Sequence, residues 1–158
     1  LKTSNTPSIL SLTRQGLNPI RKSFTKVNNC SLGTNEELRT NKKINLTIFA
    51  SGSEVNLAIE TSHKLAKEKI YSKVISMPCM ELFDQQPKKY KNKIINETKF
   101  NISIEAGSSD FWKKYVGRSG ITFGIDEFGK SAPYKDIFKH FGLTDTNIIR
   151  KTKKMLKN

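Results

Sequence analysis

The chain has 158 residues and a formal net charge of +14, because 28 Lys and Arg outnumber 14 Asp and Glu. This length allows one domain with a core of its own and excludes two domains of ordinary size. No apolar run approaches the roughly 20 residues that cross a bilayer, so the sequence predicts no membrane partner.

The first predicted element is a strand, "ILSLT", over residues 9–13, which runs into Arg14. α/β proteins hold ligands where strands end, and the guanidinium fork matches a phosphate or a carboxylate. A charged side chain at such a place can also simply solvate the end of the strand. The residues alone favour this second interpretation of Arg14.

The segment 16–43 breaks the pattern, since it is polar, rich in Asn and without a hydrophobic period. Such a stretch predicts a linker. The sequence therefore divides into three parts. Residues 1–15 are the end of one domain, 16–43 are a linker, and 44–158 are a compact α/β domain.

From residue 44 onward, strand-like and helix-like stretches alternate. Strands are predicted at 44–50, 71–78, 100–107 and 121–125. Helices are predicted at 51–68, from Pro87, at 134–141 and after Thr144, with a short amphipathic turn that carries Phe111, Trp112 and Tyr115 on one side. This order is typical of βα units around a largely parallel sheet.

Polar residues and a glycine predict where three of these helices begin or end. Ser51 and Glu54 have the spacing of a capping box for the first helix. Gly142 is predicted to end the helix at 134–141, and Thr144 to cap the last one.

Candidate catalytic residues are few. His63 and His140 stand in separate helices, without a carboxylate or serine placed for a triad, which predicts surface histidines. The turn "SGSEV" could receive an anion at a helix N-terminus, but it lacks the lysine of a phosphate-binding loop, so a plain βα turn is favoured. Glu105 and Asp126 end or follow strands, and paired carboxylates can do acid–base work, but nothing in the sequence brings these two together. The sequence therefore indicates no catalytic set in this domain.

The positive charge and the two cysteines point to no specific partner. Lysines occur in scattered pairs, and no segment interleaves aromatic residues with arginine as a single-strand binding surface does. A solvated surface is favoured over a nucleic-acid partner, and a bias towards Lys, Asn and Ile is an equally open explanation of the charge. A small basic module that binds RNA or another anion stays as an alternative. Cys30 and Cys79 lack metal-ligand spacing, which favours free thiols in a reducing cytoplasm.

Four blocks together resemble one family in their order and spacing. They are "ASGSEVNLAIE", "KVISMPCMELFDQQPKKY", "IEAGSSDFWKKYVG" and "GIDEFGKSAPYKDIFKHFGLT". These blocks resemble the carboxy-terminal domain of transketolase, and "SLTRQGLNP" resembles the segment just before it, which implies that residues 1–15 are the end of the pyrimidine-binding domain of that family. The 2-oxoacid dehydrogenases and deoxyxylulose phosphate synthase share this fold and cofactor and stay as alternatives, but "SMP" and "FGKSAP" favour transketolase.

The resemblance implies a three-layer α/β sandwich with a mostly parallel sheet, within a cytoplasmic homodimer that binds thiamine diphosphate and magnesium or calcium. Such an enzyme moves a two-carbon ketol unit between sugar phosphates of the pentose phosphate pathway. The carboxy-terminal domain of the family has no direct part in this chemistry. The arginine of the "TRQ" segment contacts the substrate phosphate, and the resemblance carries that role to Arg14.

The sequence departs from the family pattern in two places and lacks the cofactor motifs. Ser51 stands where the family usually has threonine, and the linker lacks the Gly-Tyr-Val type segment. The resemblance places the pyrophosphate and metal ligands, the activating glutamate and the catalytic histidines before Leu1. We therefore expect a fragment that binds neither cofactor nor metal and is inactive without the remainder of the enzyme and its dimer partner.

Overall fold

The strands that the structure describes form one five-stranded sheet. The computed structural model describes residues 7, 9–21, 24, 26 and 28–157. The strands are β1 (Asn35–Leu38), β2 (Leu46–Ala50), β3 (Ser72–Ser76), β4 (Phe100–Ile104) and β5 (Ile121–Phe123). Their order in the sheet is β1-β3-β2-β4-β5. β1 pairs antiparallel with β3, and the other three pairings are parallel. The predicted α/β class with a mostly parallel sheet is confirmed.

In the described part of the chain, six α-helices connect or follow these strands. They are α1 (Glu54–Lys67), α2 (Met80–Asp84), α3 (Lys88–Ile95), α4 (Lys113–Val116), α5 (Tyr134–His140) and α6 (Asp145–Lys157). Short 3₁₀ turns lie at Asn29–Leu32 and Ser109–Trp112. No helix of the described residues combines the length and the apolar character that a membrane span requires.

Both faces of the sheet are covered, because successive side chains of a strand point to opposite sides. Ile48 packs with α1 and α6, through residues such as Ala58 and Ile148. Phe49, the next residue, packs with Trp112 and other side chains from α2, α3 and α4. Helices on both faces of a sheet make three layers, which confirms the expected sandwich.

Part of the predicted linker is a strand instead. β1 lies inside the segment 16–43, and its residues Asn35 and Glu36 pair with Ser76 and Ile75 of β3. The sequence "NEEL" gave no sign of this, because an edge strand gains its pairing from the backbone and these side chains are polar. Just before it, Gly33 has φ +79°, and a Cβ there would lie 2.4 Å from the carbonyl oxygen of Cys79.

The opening segment differs from the prediction. Residues 9–21 form neither helix nor strand, and Ile9, Leu10 and Leu12 are 95%, 70% and 80% exposed. A strand needs a neighbouring strand to pair its N–H and C=O groups. Among the described residues, no strand pairs with residues 9–13. Residues 1–6 and 8 lie outside the described residues, so the assignment of 1–15 to another domain stays a prediction.

Gly142 and Thr144 end and begin their helices as predicted, whereas the predicted position of Phe111 is wrong. Gly142 ends α5 with φ +72° and donates its N–H to the carbonyl of Lys139. The carbonyl of Thr144 accepts from Ile148 in the first turn of α6, and its hydroxyl accepts from Asn147 N–H. Phe111 is 69% exposed rather than buried beside Trp112.

Candidate functional site

The carboxyl ends of β2 and β4 meet where the direction of the chain across the sheet reverses. From β2 the chain crosses to β3 on one side, then returns past β2 to β4 and β5 on the other. In open α/β sheets this reversal opens a crevice that commonly holds ligands. Ser51 follows β2 and Glu105 follows β4, so the two side chains face each other at this point.

Ser51 and two carboxyl groups occupy the crevice. The Ser51 hydroxyl donates to Glu105 Oε2 at 2.6 Å. Glu54 is only 4% exposed, and its Oε1 accepts from the Ser53 hydroxyl at 2.7 Å. The predicted capping box is therefore wrong, because Ser53 is the residue before α1 and the hydroxyl of Ser51 is used across the sheet.

Burial, together with the neighbouring Glu54 carboxyl group, raises the pKa of Glu105 to about 7, although the hydrogen bond from Ser51 opposes this rise. A carboxyl that is partly protonated near neutral pH can donate to one neighbour and accept from another. Glu105 can thus donate to Glu54 while it accepts from Ser51. This arrangement holds the ends of two adjacent strands together, and with two carboxyls beside it the "SGSEV" turn does not suit an anion.

Asp126 serves a separate contact at the same edge of the sheet. It accepts from the backbone N–H and the hydroxyl of Ser109, both at 2.8 Å. These two hydrogen bonds from Ser109 hold the pKa of Asp126 below its ordinary value. Glu105 and Asp126 therefore have different partners, and the structure does not assemble them into an acid–base pair.

The other sequence candidates lie apart from this crevice. His63 and His140 are exposed, as predicted. Arg14 is exposed in the opening segment, and among the described residues its side chain has no ion-pair partner. Cys30 and Cys79 are free thiols.

A divalent metal does not fit the residues at hand. Within the described part of the chain, no three His, Cys, Asp or Glu side chains come together as a metal site would require. A divalent ion that bridges a diphosphate needs several oxygen ligands. The described residues therefore group no such set of carboxylate, His and Cys ligands, and we derive no catalytic step through thiamine diphosphate or its metal.

Sequence reasoning missed a buried lysine. Lys73 on β3 is fully buried, and its Nζ donates to the Ile94 carbonyl at 3.0 Å and to Glu97 Oε2 at 2.8 Å. Glu97 also accepts from Arg39, just after β1, at 2.7 Å. The hydrogen bonds from Arg39 and Lys73 lower the pKa of Glu97 to about 2. A lysine within the strand "SKVIS" would be expected to face solvent. Its partner Glu97 is 24 residues away, and no local pattern connects the two.

Two phenylalanines are exposed at the carboxyl edge. Phe111 lies in the turn after β4, and Phe128, in the loop after β5, is 96% exposed. Single exposed apolar residues are ordinary, but two large rings on adjacent loops of one edge are typical of a surface that meets another protein surface.

Comparison with known proteins gives one consistent answer. Residues 35–144 match the family of the transketolase-like TK C-terminal domain. Over 158 residues the chain is 37% identical to the transketolase of Buchnera aphidicola subsp. Acyrthosiphon pisum, covering 99% of this chain and 24% of that protein. The structure of transketolase from Leishmania mexicana matches with a TM-score of 0.74 and 34% identity, over 82% of this chain and 18% of that one. Transketolase from Pichia stipitis in complex with sedoheptulose-7-phosphate matches with a TM-score of 0.73 and 30% identity, over the same shares.

The matched region agrees with the blocks in the sequence. All four blocks that resemble transketolase lie between residues 35 and 144, which is well over half of the chain. The chain spans about a quarter of the length of the curated relatives that it matches, 24% in the Buchnera protein. The fold, the four blocks and the matches together show that the chain belongs to the transketolase family and contains its carboxy-terminal domain.

Proposed function

We propose that this chain works as the carboxy-terminal part of a transketolase, a homodimeric enzyme that moves a two-carbon ketol unit between sugar phosphates of the pentose phosphate pathway. Thiamine diphosphate and a divalent metal would be held by the remainder of that enzyme. One observation carries the proposal: identity to the Buchnera transketolase covers 99% of the chain, and so includes the opening segment before the domain.

The domain itself has a supporting role in this proposal. Its crevice is filled by Ser51, Glu54 and Glu105, and the hydrogen bond from Ser51 to Glu105 joins the ends of two strands. The exposed rings of Phe111 and Phe128 are then the part of the domain that packs on the rest of the enzyme. On its own the chain should be inactive.

Arg14 is the residue that we propose for substrate binding. The Pichia relative forms a complex with a phosphorylated sugar. An exposed guanidinium can meet a phosphate with two parallel N–H donors, and a contact of this kind contributes about 1.5–3 kcal/mol. In the complete enzyme, residues 9–13 would gain strand neighbours, which would place Arg14 at a strand end.

The test is a chimera in which this chain replaces the matching part of the Buchnera transketolase. Ketol transfer to ribose 5-phosphate by the chimera would support the proposed function. Arg14→Ala should then raise KM for ribose 5-phosphate by roughly ten- to a hundredfold, with a smaller fall in kcat, because the phosphate lies far from the reacting carbons. Arg14→Lys should recover only part of the loss, since the fork geometry is gone.

Two controls make the test decisive. An unphosphorylated aldehyde acceptor should be nearly indifferent to Arg14→Ala. Arg21→Ala removes another exposed arginine of the same segment and should leave both KM values unchanged. Equal losses with both acceptors would show that Arg14 only supports the fold, and a folded chimera without ketol transfer would contradict the proposed function.

The alternatives from the sequence are less well supported. A 2-oxoacid dehydrogenase or deoxyxylulose phosphate synthase shares the fold, but the matched family and the relatives described above are transketolases. A chimera that accepted a 2-oxoacid and not a ketose phosphate as donor would favour these alternatives.

A further inference from the structure

A cavity of about 450 Å³ opens at the amino edge of the sheet, opposite the crevice of Ser51 and Glu105. It lies between the first residues of β4 and β5 and the last turns of α6. β4 is five residues long, so about 16 Å of strand separates the two edges. Nothing in the proposed transketolase chemistry uses this place.

The floor of this cavity is apolar. It consists of the half-buried side chains of Phe100, Ile121 and Met155. A volume of this size lies within the usual range for small-molecule sites, which combine apolar walls with a few polar groups. The floor therefore suits the ring or short chain of a small organic molecule.

The rim is positively charged. Lys99, Lys151 and Lys154 line the cavity, and no carboxylate does. All three are exposed, and none of them takes part in an ion pair among the described residues. The Nζ of Lys99 lies 5.0 Å from the centre of the Phe100 ring, so one positive charge is directly above the apolar floor. Ser119 adds a hydroxyl.

The groove on the other side of α6 differs in one respect. Glu68 lines that groove and forms an ion pair with Lys153. Lys154 lines both places, but the lining of the cavity at Lys99, Lys151 and Lys154 contains no carboxylate.

We propose that this cavity binds a small organic anion, with its apolar body on Phe100, Ile121 and Met155 and its phosphate or carboxylate group among the three lysines. Lysine ammonium groups act as mobile point charges and suit either group.

The experiment titrates the full chain, labelled with ¹³C on its methionine methyl groups, with phenyl phosphate. The chain has three methionines, so each gives its own signal. We expect the Met155 signal to shift and saturate, while Met77 on the opposite face of the sheet stays unchanged. Inorganic phosphate and benzyl alcohol, which each carry half of the proposed ligand, should bind at least tenfold more weakly than phenyl phosphate.

Variants then test the charges. Lys151→Ala and Lys154→Ala should each weaken binding by about five- to tenfold. Lys153→Ala also removes one positive charge from α6. Because Lys153 is paired with Glu68 and does not line the cavity, this variant should change binding less than twofold. These side chains are exposed or half-buried, and unchanged circular dichroism would show that the fold persists.

Three results would overturn the proposal. They are an unmoved Met155 signal, equal losses in all three lysine variants, and inorganic phosphate binding as well as phenyl phosphate. Tight binding of single-stranded RNA with a steep salt dependence, in a chain that ignores phenyl phosphate, would show a polyanion surface in place of a small-molecule site.

Discussion

Apolar and basic side chains that are exposed in the opening segment have buried counterparts in the folded domain. Ile9 and Leu12 in residues 9–21 are 95% and 80% exposed, whereas Ile48 and Leu65 in the domain are fully buried. Arg14 stands in solvent, while Lys73 is buried and fully paired. The difference shows that the contacts among the described residues fix the domain and do not fix residues 9–21.

The largest effect should come from the core of the domain. Trp112→Ala removes a ring that is 2% exposed and packs edge-on against Tyr115, with ring centres 6.2 Å apart. We expect the free energy of unfolding to fall by about 3–5 kcal/mol, measured by urea denaturation. Phe111→Ala in the same turn and Leu12→Ala in the opening segment should each change it by less than about 0.5 kcal/mol. A similar loss for Leu12→Ala would erase the contrast between the two regions.

The next effect concerns the buried lysine. Glu97→Gln leaves the Lys73 ammonium buried with only carbonyl partners and also releases Arg39. We expect a loss of about 2–3 kcal/mol, somewhat below that for a fully buried pair because Glu97 is partly exposed. Asp110→Asn breaks the exposed pair with Lys113 and should cost less than about 0.5 kcal/mol.

Glu97 also makes the stability of the folded chain depend on pH. Its pKa is lowered from 4.5 to about 2 in the folded chain, so the folded state binds fewer protons than the unfolded state in this range. The stability that Glu97 contributes is therefore complete above pH 4.5 and is lost as the pH falls towards 2. In Glu97→Gln this part of the acid sensitivity should be absent.

A smaller effect, of opposite sign, is expected at Glu105. Its pKa is raised from 4.5 to about 7, so the folded state holds a proton that the unfolded state has released. The free energy of unfolding should fall as the pH rises from 4.5 to about 7, and then level off. Glu105→Gln, which resembles the protonated form, should flatten this slope in urea denaturation at a series of pH values. An unchanged slope in Glu105→Gln would mean that another group causes it.

The smallest effect should follow removal of residues 1–19. Ile20, the first of the described residues to pack against the core, is kept in this shortened chain. We expect the free energy of unfolding to change by less than about 0.5 kcal/mol, since exposed segments contribute little to the stability of the domain that they precede. Faster hydrogen exchange in β2 or β4 after the removal would show that the segment supports the domain after all.

The domain was predictable because its signals are local. Buried strands such as "LTIFA" are continuous apolar runs, and Gly142 marks a helix end by a conformation that glycine adopts easily. The sheet order and β1 were not predictable in this way. β1 has polar side chains, and its place depends on β3, which lies more than 30 residues further along the chain.

The crevice was predictable only in its parts. Ser51, Glu54 and Glu105 were each noticed, but the sequence pattern assigned Ser51 to a helix cap because Glu54 stands three residues later. The hydrogen bond from Ser51 to Glu105 spans 54 residues and depends on β2 and β4 being neighbours. Likewise, the opening strand was predicted from its own apolar residues, although a strand exists only with a partner.

The antiparallel strand β1 has a consequence for self-association. An open parallel sheet presents unpaired backbone donors and acceptors along its outer strand, where a second chain can add. β1 covers that side of β3 and carries Glu36 and Glu37, while the other outer strand, β5, is only three residues long. A chain that began at residue 44 would lack β1, and the outer edge of β3 would be unpaired. Because the side chains of β3 are mostly buried, this edge would then become a template for fibre-like assembly. The four residues of β1 thus protect the sheet of the isolated domain against edge-to-edge assembly.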